Sequence, residues 1–180
     1  MRAAFLLLML LPACEIESEA EALAWDAPEA DDALTMRQLA RSGGCGDATL
    51  FGSNAADTQA IFFNFQGLAS QAQAAGGPIS LVLNLPHPMV GGSYQTGRRL
   101  TSATCVGAFP LPGPRVVNDW TLSGGTLYVD ARPLPGGGPG MPLAEVELSL
   151  VNPAFTAAGM GFGFMGSIEI PPTTVGFYPP

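Results

Sequence analysis

Glycine and proline interrupt the apolar pattern from Cys45 onward so often that a bundle of long helices does not fit the chain. The sequence holds 23 Gly and 17 Pro among 180 residues, and the apolar segments between them are short and commonly alternate with polar residues. A period of two is typical of half-buried strands, and glycine and proline mark the turns between them. The pattern predicts an all-β domain: an antiparallel β-sandwich of about seven or eight short strands with one short helix.

The segment from Ala144 to Val151 alternates most clearly. Its apolar side chains are predicted to face the core and its polar side chains the solvent; the inward set is Val146, Leu148 and Leu150. Ser167 to Ile170 alternates in the same way, and Pro171-Pro172 is expected to end that strand. The other predicted strands span 48–52, 60–65, 79–85, 100–106 and 175–178, the helix spans 67–75, and 91–95 and 133–142 are expected to be turn or loop.

The best local motif is Trp120 to Asp130, with Gly124-Gly125 at its centre. Two glycines between alternating segments favour a hairpin with a two-residue turn. In that register Leu122 lies opposite Leu127 and Trp120 opposite Val129, all four on the buried face. The other face then carries Thr121, Tyr128, Asp119 and Asp130. A shift of one residue would reverse the two faces, so the alternation fixes the register.

The same hairpin would place Asp119 directly opposite Asp130, which is unfavourable for two carboxylates. Three explanations stay open: Arg132 offsets the repulsion, the hairpin is bulged or slipped there, or the two acids hold a Ca²⁺ ion with loop carbonyls. The pair is thus the one candidate metal site in the sequence. His87 lies between two prolines at the end of a predicted strand, so we interpret it as a solvent-exposed turn residue, with a catalytic base as the alternative.

The N-terminus carries a targeting signal. Arg2 precedes an uncharged run from Ala3 to Leu11, which is long enough for a signal peptide and too short to span a bilayer. The sequence Leu11-Pro12-Ala13-Cys14 that follows resembles the lipobox of bacterial lipoproteins. The resemblance implies that residues 1–13 are a signal peptide, cleaved before Cys14, and that the Cys14 thiol receives a diacylglycerol that anchors the chain to a membrane.

The residue after the lipidated cysteine bears on sorting. In the enterobacterial pattern an aspartate there retains a lipoprotein at the inner membrane, and Glu15 does not match that signal. The resemblance therefore implies an outer-membrane lipoprotein that faces the periplasm or the cell surface. Residues Glu15 to Asp32 include eight acids and no base, so mutual repulsion should keep this segment extended. Residues 14–44 are predicted to be the lipidated cysteine and an acidic tether, and residues 45–180 the folded domain.

With Cys14 assigned to the lipid, Cys45 and Cys105 remain. Two cysteines in an exported chain predict one disulfide, which would close a loop of about 60 residues. A metal site would need more ligands, and a thiol nucleophile would need a base near it. The pair therefore predicts a covalent link between the start of the domain and its middle.

Composition narrows the function without naming it. The chain has a net charge of −8 and no lysine, which excludes lysine chemistry and disfavours nucleic acid as a partner. No motif for a nucleotide, cofactor or catalytic triad is present. The sequence favours a lipid-anchored, non-enzymatic binding or structural protein with no cofactor, and leaves a protein or glycan partner open. One alternative is a carrier of a lipid or other hydrophobic ligand, with a groove lined by the Phe and Met of residues 159–166. The other is an envelope hydrolase that uses two carboxylates in a concave pocket.

Overall fold

The computed structural model describes residues 39–105, 112–137 and 143–176. The lipobox, Cys14 and the tether up to residue 38 lie outside these residues. The described chain is an antiparallel, sandwich-like β-fold, as predicted, with nine strands and one helix. The strands are β1 Arg41–Cys45, β2 Thr49–Ser53, β3 Gln59–Phe65, β4 Ile79–Leu85, β5 Val90–Arg98, β6 Arg115–Pro133, β7 Leu143–Ala157, β8 Met160–Gly163 and β9 Ser167–Gly176; the helix, α1, is Leu68–Ala75. No helix in this part of the chain has the length and apolar character needed to cross a bilayer.

The strands form one bent sheet in the order β1-β2-β3-β5-β6-β7-β8, with β4 and β9 off this path. Strand β6 pairs with β5 through its first half and with β4 through its second half, and β7 borders β6 along most of its length. Strand β9 pairs with the first half of β7, and β8 with the second half. We call β4, the second half of β6, the first half of β7 and β9 the small layer. The remaining strands are the large layer.

One hydrophobic core lies on the inner face of both layers. An aromatic cluster occupies it, in which the Trp120 ring meets the Phe162 ring edge-on at 4.9 Å and the Tyr94 ring lies 5.7 Å from both Phe155 and Phe162. Aromatic pairs at these distances and tilts contribute beyond their buried area. The helix α1 adds Leu68, Ala69 and Ala72 to the same core.

Strand β6 contradicts the predicted hairpin, because the chain continues as one strand through Gly124-Gly125. Leu122 lies opposite Phe155 of β7, not opposite Leu127, and Trp120 lies opposite Tyr94 of β5. The predicted faces are nevertheless correct: Trp120, Leu122, Leu127 and Val129 are buried, whereas Thr121 and Tyr128 are exposed. A β-bulge at the glycines shifts the alternation by one residue, so even-numbered side chains before it and odd-numbered ones after it share a face.

The bulge and the hairpin lead to different expected effects of replacing Gly124 or Gly125 by alanine. Gly125 has a φ of 116°, and a Cβ there would lie 3.0 Å from the carbonyl oxygen of Val151. Gly125→Ala should therefore cost about 1–3 kcal/mol of the free energy of unfolding, measured by urea denaturation. Gly124 has no positive φ, so Gly124→Ala should cost less. Both two-residue hairpin turns require a positive φ at Gly124, and an equal or larger loss from Gly124→Ala would contradict the bulge.

The sequence did not predict strand β5, and residues 100–105 of the strand predicted at 100–106 are not a strand; residue 106 lies outside the described residues. Gly91-Gly92 resembles a turn in sequence, yet in the structure Gly92 lets two strands approach closely. A Cβ on it would lie 2.8 Å from Leu122 Cδ2 and 3.2 Å from the carbonyl oxygen of Phe62. Residues 99–105 instead form successive turns, in which the amide of Ser102 donates to the carbonyl of Arg99 and that of Thr104 to that of Thr101.

Two predicted boundaries also differ from the structure. The first strand of the described residues is Arg41–Cys45, which pairs with β2, so residues 41–44 at the end of the predicted tether form a strand. Strand β9 continues through Pro171-Pro172 to Gly176. The pairing passes from Ile170 opposite Leu148 to Thr173 opposite Val146, and this bulge leaves both prolines outside the register. Proline cannot donate to a ladder, and the bulge removes the need for it to do so.

The disulfide between Cys45 and Cys105 is present, with a Cα–Cα distance of 5.4 Å and a sequence separation of 60. It ties the end of β1 to the turns at 99–105. A second attachment holds the same turns, because the buried Asp57 carboxylate accepts hydrogen bonds from the backbone amide and the hydroxyl of Thr101, at 3.0 Å from the hydroxyl.

Candidate functional site

The outward face of the small layer carries most of the charged groups that the pairing brings together. Asp130 on β6 lies opposite Ser80 on β4 and opposite Glu147 on β7. Two residues along the same strands, Arg132 lies opposite Glu145. Directly opposed residues on neighbouring strands are close enough for their side chains to interact, so the strand register alone assembles a polar cluster.

A depression of about 330 Å³ lies over this cluster. It is lined by Pro78, Asp130, Ala131, Arg132, Glu145, Glu147 and Pro172. The Arg132 guanidinium pairs with the Glu145 carboxylate at 2.5 Å, and the Ser80 hydroxyl donates a hydrogen bond to Asp130. The ion pair contributes at most about 1 kcal/mol, because the Arg132 side chain is 61% exposed.

The charges of this site favour some ligands over others. Three carboxylates and one guanidinium leave an excess of negative charge, and Asp130 and Glu147 are both exposed to water. Such a surface attracts cationic groups and accepts hydrogen bonds from hydroxyl or amino groups. The same excess of negative charge repels anionic groups such as phosphate.

An exposed apolar pair borders the cluster. Tyr128 and Val82 lie directly opposite each other on β6 and β4, 45% and 63% exposed. Beside Tyr128, the Ser149 hydroxyl on β7 donates to Glu169 on β9 at 2.8 Å. A phenol ring beside hydroxyls and carboxylates can make both stacking and hydrogen-bonding contacts with a partner.

The candidate pair Asp119 and Asp130 is not brought together in the structure, because the two acids lie on one strand and do not face each other. They lie eleven positions apart along β6, with the bulge at Gly124-Gly125 between them. Asp119 instead lies opposite Gln95, whose side-chain amide donates to it at 3.2 Å. Arg132 pairs with Glu145 and not with Asp119. In the described residues no group of three or more His, Cys, Asp or Glu side chains is arranged to hold a metal ion.

Two other sequence candidates are placed apart from this cluster. His87 lies in the turn between β4 and β5, where its Nδ1 accepts a hydrogen bond from the Met89 amide at 3.2 Å. Of the Phe and Met side chains at 159–166, Phe162 packs into the aromatic cluster, while Met160 and Met165 are 42% and 77% exposed. Phe162 is therefore engaged with Trp120, Tyr94 and Phe155 rather than open to a ligand.

Glu145 and Glu147 are the site residues that sequence reasoning missed. The alternation of β7 identified them only as outward-facing positions. The one further sequence signal for a site here is that the two acids are two residues apart and therefore lie on one face of the strand. The residues that lie opposite them depend on the register between β7 and β6. Comparisons of the chain with models of protein families, with curated proteins and with solved structures found no match.

Proposed function

We propose that the chain is a lipid-anchored protein of the cell envelope whose sandwich-like domain has a non-enzymatic binding or structural role. The observation that carries the proposal is the order of its parts: Leu11-Pro12-Ala13-Cys14, then a run of eight acids, then a disulfide-linked domain whose first strand begins at Arg41. An anchor, a charged spacer and a compact domain together would hold one binding surface at a distance from a membrane.

The outward face of the small layer is the surface that best suits a partner in this arrangement. Its cluster of carboxylates, its hydroxyls and the exposed ring of Tyr128 fit a glycan or a basic protein segment better than an anionic or fully apolar ligand. The proposed location is the outer membrane, on the side that faces the periplasm or the cell surface.

Removal of the anchor tests the proposal. In a bacterial host, the full chain should incorporate an alkyne analogue of palmitate and fractionate with the outer membrane. Cys14→Ala should take up no label and leave the outer-membrane fraction, because no other cysteine follows a lipobox. Ser18→Ala, in the same acidic segment, is the matched control and should behave as the natural chain. Labelling that persists in Cys14→Ala would refute the lipid anchor.

A hydrolase is the second candidate, and one observation favours it. Asp130 and Glu147 are directly opposed within a depression, as two carboxylates of a glycoside hydrolase must be close together. Incubation of the purified chain with cell-wall glycan separates the two functions. If the natural chain releases reducing ends and Asp130→Asn does not, the hydrolase would replace the non-enzymatic proposal.

A further inference from the structure

Strand β4 forms an open edge of the small layer. Among the described residues it pairs with β6 alone, in an unbroken register from Ile79 opposite Ala131 to Leu85 opposite Gly125. Its sequence, Ile-Ser-Leu-Val-Leu-Asn-Leu, contains no charge, no proline and no glycine. Soluble proteins usually protect an edge with charges, prolines, bulges or short strands, because an open edge pairs readily with another strand.

Two other borders of the described part of the sheet carry such protection. Strand β9 has Pro171-Pro172 and a bulge, and its end lies beside β1, where the amide of Gly46 donates to the carbonyl of Gly176 at 3.0 Å. Strand β8 is four residues long, two of them glycine. Compared with β8 and β9, strand β4 is long, regular and uncharged, so it lacks the protection that these two strands have.

The side chains of β4 are also incompletely covered. Ile79, Leu81 and Leu85 face the core but remain half-buried, whereas Leu127, Val129 and Ala131 on the adjacent β6 are at most 2% exposed. On the outward face Val82 is 63% exposed. A further strand placed beside β4 would cover apolar area on both faces and satisfy the open backbone groups of the edge.

We propose that β4 is a dimerisation edge, and that its occupant is the β4 strand of a second copy of this chain, paired antiparallel about a two-fold axis at Val82. A two-fold interface requires a self-complementary surface. In this pairing Val82 meets its own copy, Ser80 meets Asn84, Leu81 meets Leu83, and Ile79 meets Leu85. Every contact joins groups of like polarity, and no charge faces another.

The prolines at the two ends select this register. Pro78 precedes β4 and Pro86 follows it, and neither can donate a backbone hydrogen bond. Centring the axis on Val82 pairs all seven residues of both strands, whereas a shift of two residues would bring a proline into the ladder. A shift of one residue would place the apolar set of one copy on the outward face of the other.

Cysteines introduced one at a time into the full chain test the pairing. In antiparallel pairs, opposed Cα atoms lie about 4.5–5.5 Å apart, within the range that a disulfide spans. Val82→Cys should therefore convert most of the purified chain to a covalent dimer under mild oxidation, seen on a non-reducing gel. Ser80→Cys should stay monomeric, because the two copies of residue 80 would lie about 13 Å apart along the strands. Ser80→Cys combined with Asn84→Cys should restore the dimer.

A charged side chain introduced at Val82 provides a second test of the dimer. Val82→Lys places two ammonium groups opposite each other and should halve the native mass of the chain measured in detergent by light scattering. Val117→Lys, at a residue 50% exposed on β6, is the matched control and should leave the mass unchanged. A natural chain of monomeric mass would overturn the proposal. So would equal cross-linking of Val82→Cys and Met165→Cys, since the latter residue is 77% exposed and reports random collision. A Val82→Cys adduct with a different protein would assign the edge to another partner and overturn the second copy.

Discussion

Replacing Trp120 by alanine is expected to lower the free energy of unfolding by about 3–5 kcal/mol. The side chain is fully buried in the middle of β6, opposite Tyr94 and edge-on to Phe162. Its loss would open a cavity in the aromatic cluster that the surrounding strands can close only in part. Since domains of this kind are stable by about 5–15 kcal/mol, the substitution should remove a large fraction of the total, measured by urea denaturation followed by circular dichroism.

Thr121→Ala is the matched control for Trp120→Ala. Thr121 is the next residue along β6 and is exposed, so its replacement should cost under about 0.5 kcal/mol. The contrast between these neighbours reports the face that each occupies. Similar small losses from both substitutions would contradict the buried position of Trp120 and, with it, the packing of the aromatic cluster.

Removing the disulfide is expected to have the next largest effect. Replacing Cys45 and Cys105 together by alanine frees a loop of 60 residues, and the chain-entropy relation gives about 4 kcal/mol for closing such a loop. The loss should appear as a lower urea midpoint. Asp57 and Thr101 hold the same turns by hydrogen bonds, so the variant should still fold at low denaturant.

The dependence of the urea midpoint on reductant provides the control for the disulfide. Dithiothreitol should lower the midpoint of the natural chain to that of the double variant, and should not change the variant itself. The mass of the natural chain should rise by about 2 Da on reduction, because two hydrogens are added to the bridge. A midpoint that is indifferent to reductant in the natural chain would show that the bridge adds nothing to stability.

The sequence predicted the faces of the strands better than their neighbours. Trp120, Leu122, Leu127 and Val129 were assigned to the core correctly, although the hairpin that was thought to join them does not exist. A two-residue turn and a bulge at Gly124-Gly125 produce the same alternation, since each changes its phase by one residue. The difference lies in the strands on either side, and no local pattern contains that information.

The candidate site was predictable only in part for the same reason. Asp130 was identified as an outward-facing acid, but its opposing residues are Ser80 and Glu147, which are distant in sequence. The local pattern indicated Asp119 as its neighbour, because the predicted hairpin would place these two residues on opposed strands. Glu145, Glu147 and Arg132 become a site only when β7 is placed beside β6, and that placement follows from the packing of the whole core.

Strands β6 and β7 each pass from one layer to the other, and this shared backbone has a thermodynamic consequence. Opening one layer would release half of β6 and half of β7, whose other halves belong to the second layer, so we expect the loss of one layer to destabilise the other. Proteins in which segments can open separately show a range of local stabilities. Here the two bulged strands act as common members of both layers, and the domain should melt as one cooperative unit rather than as two.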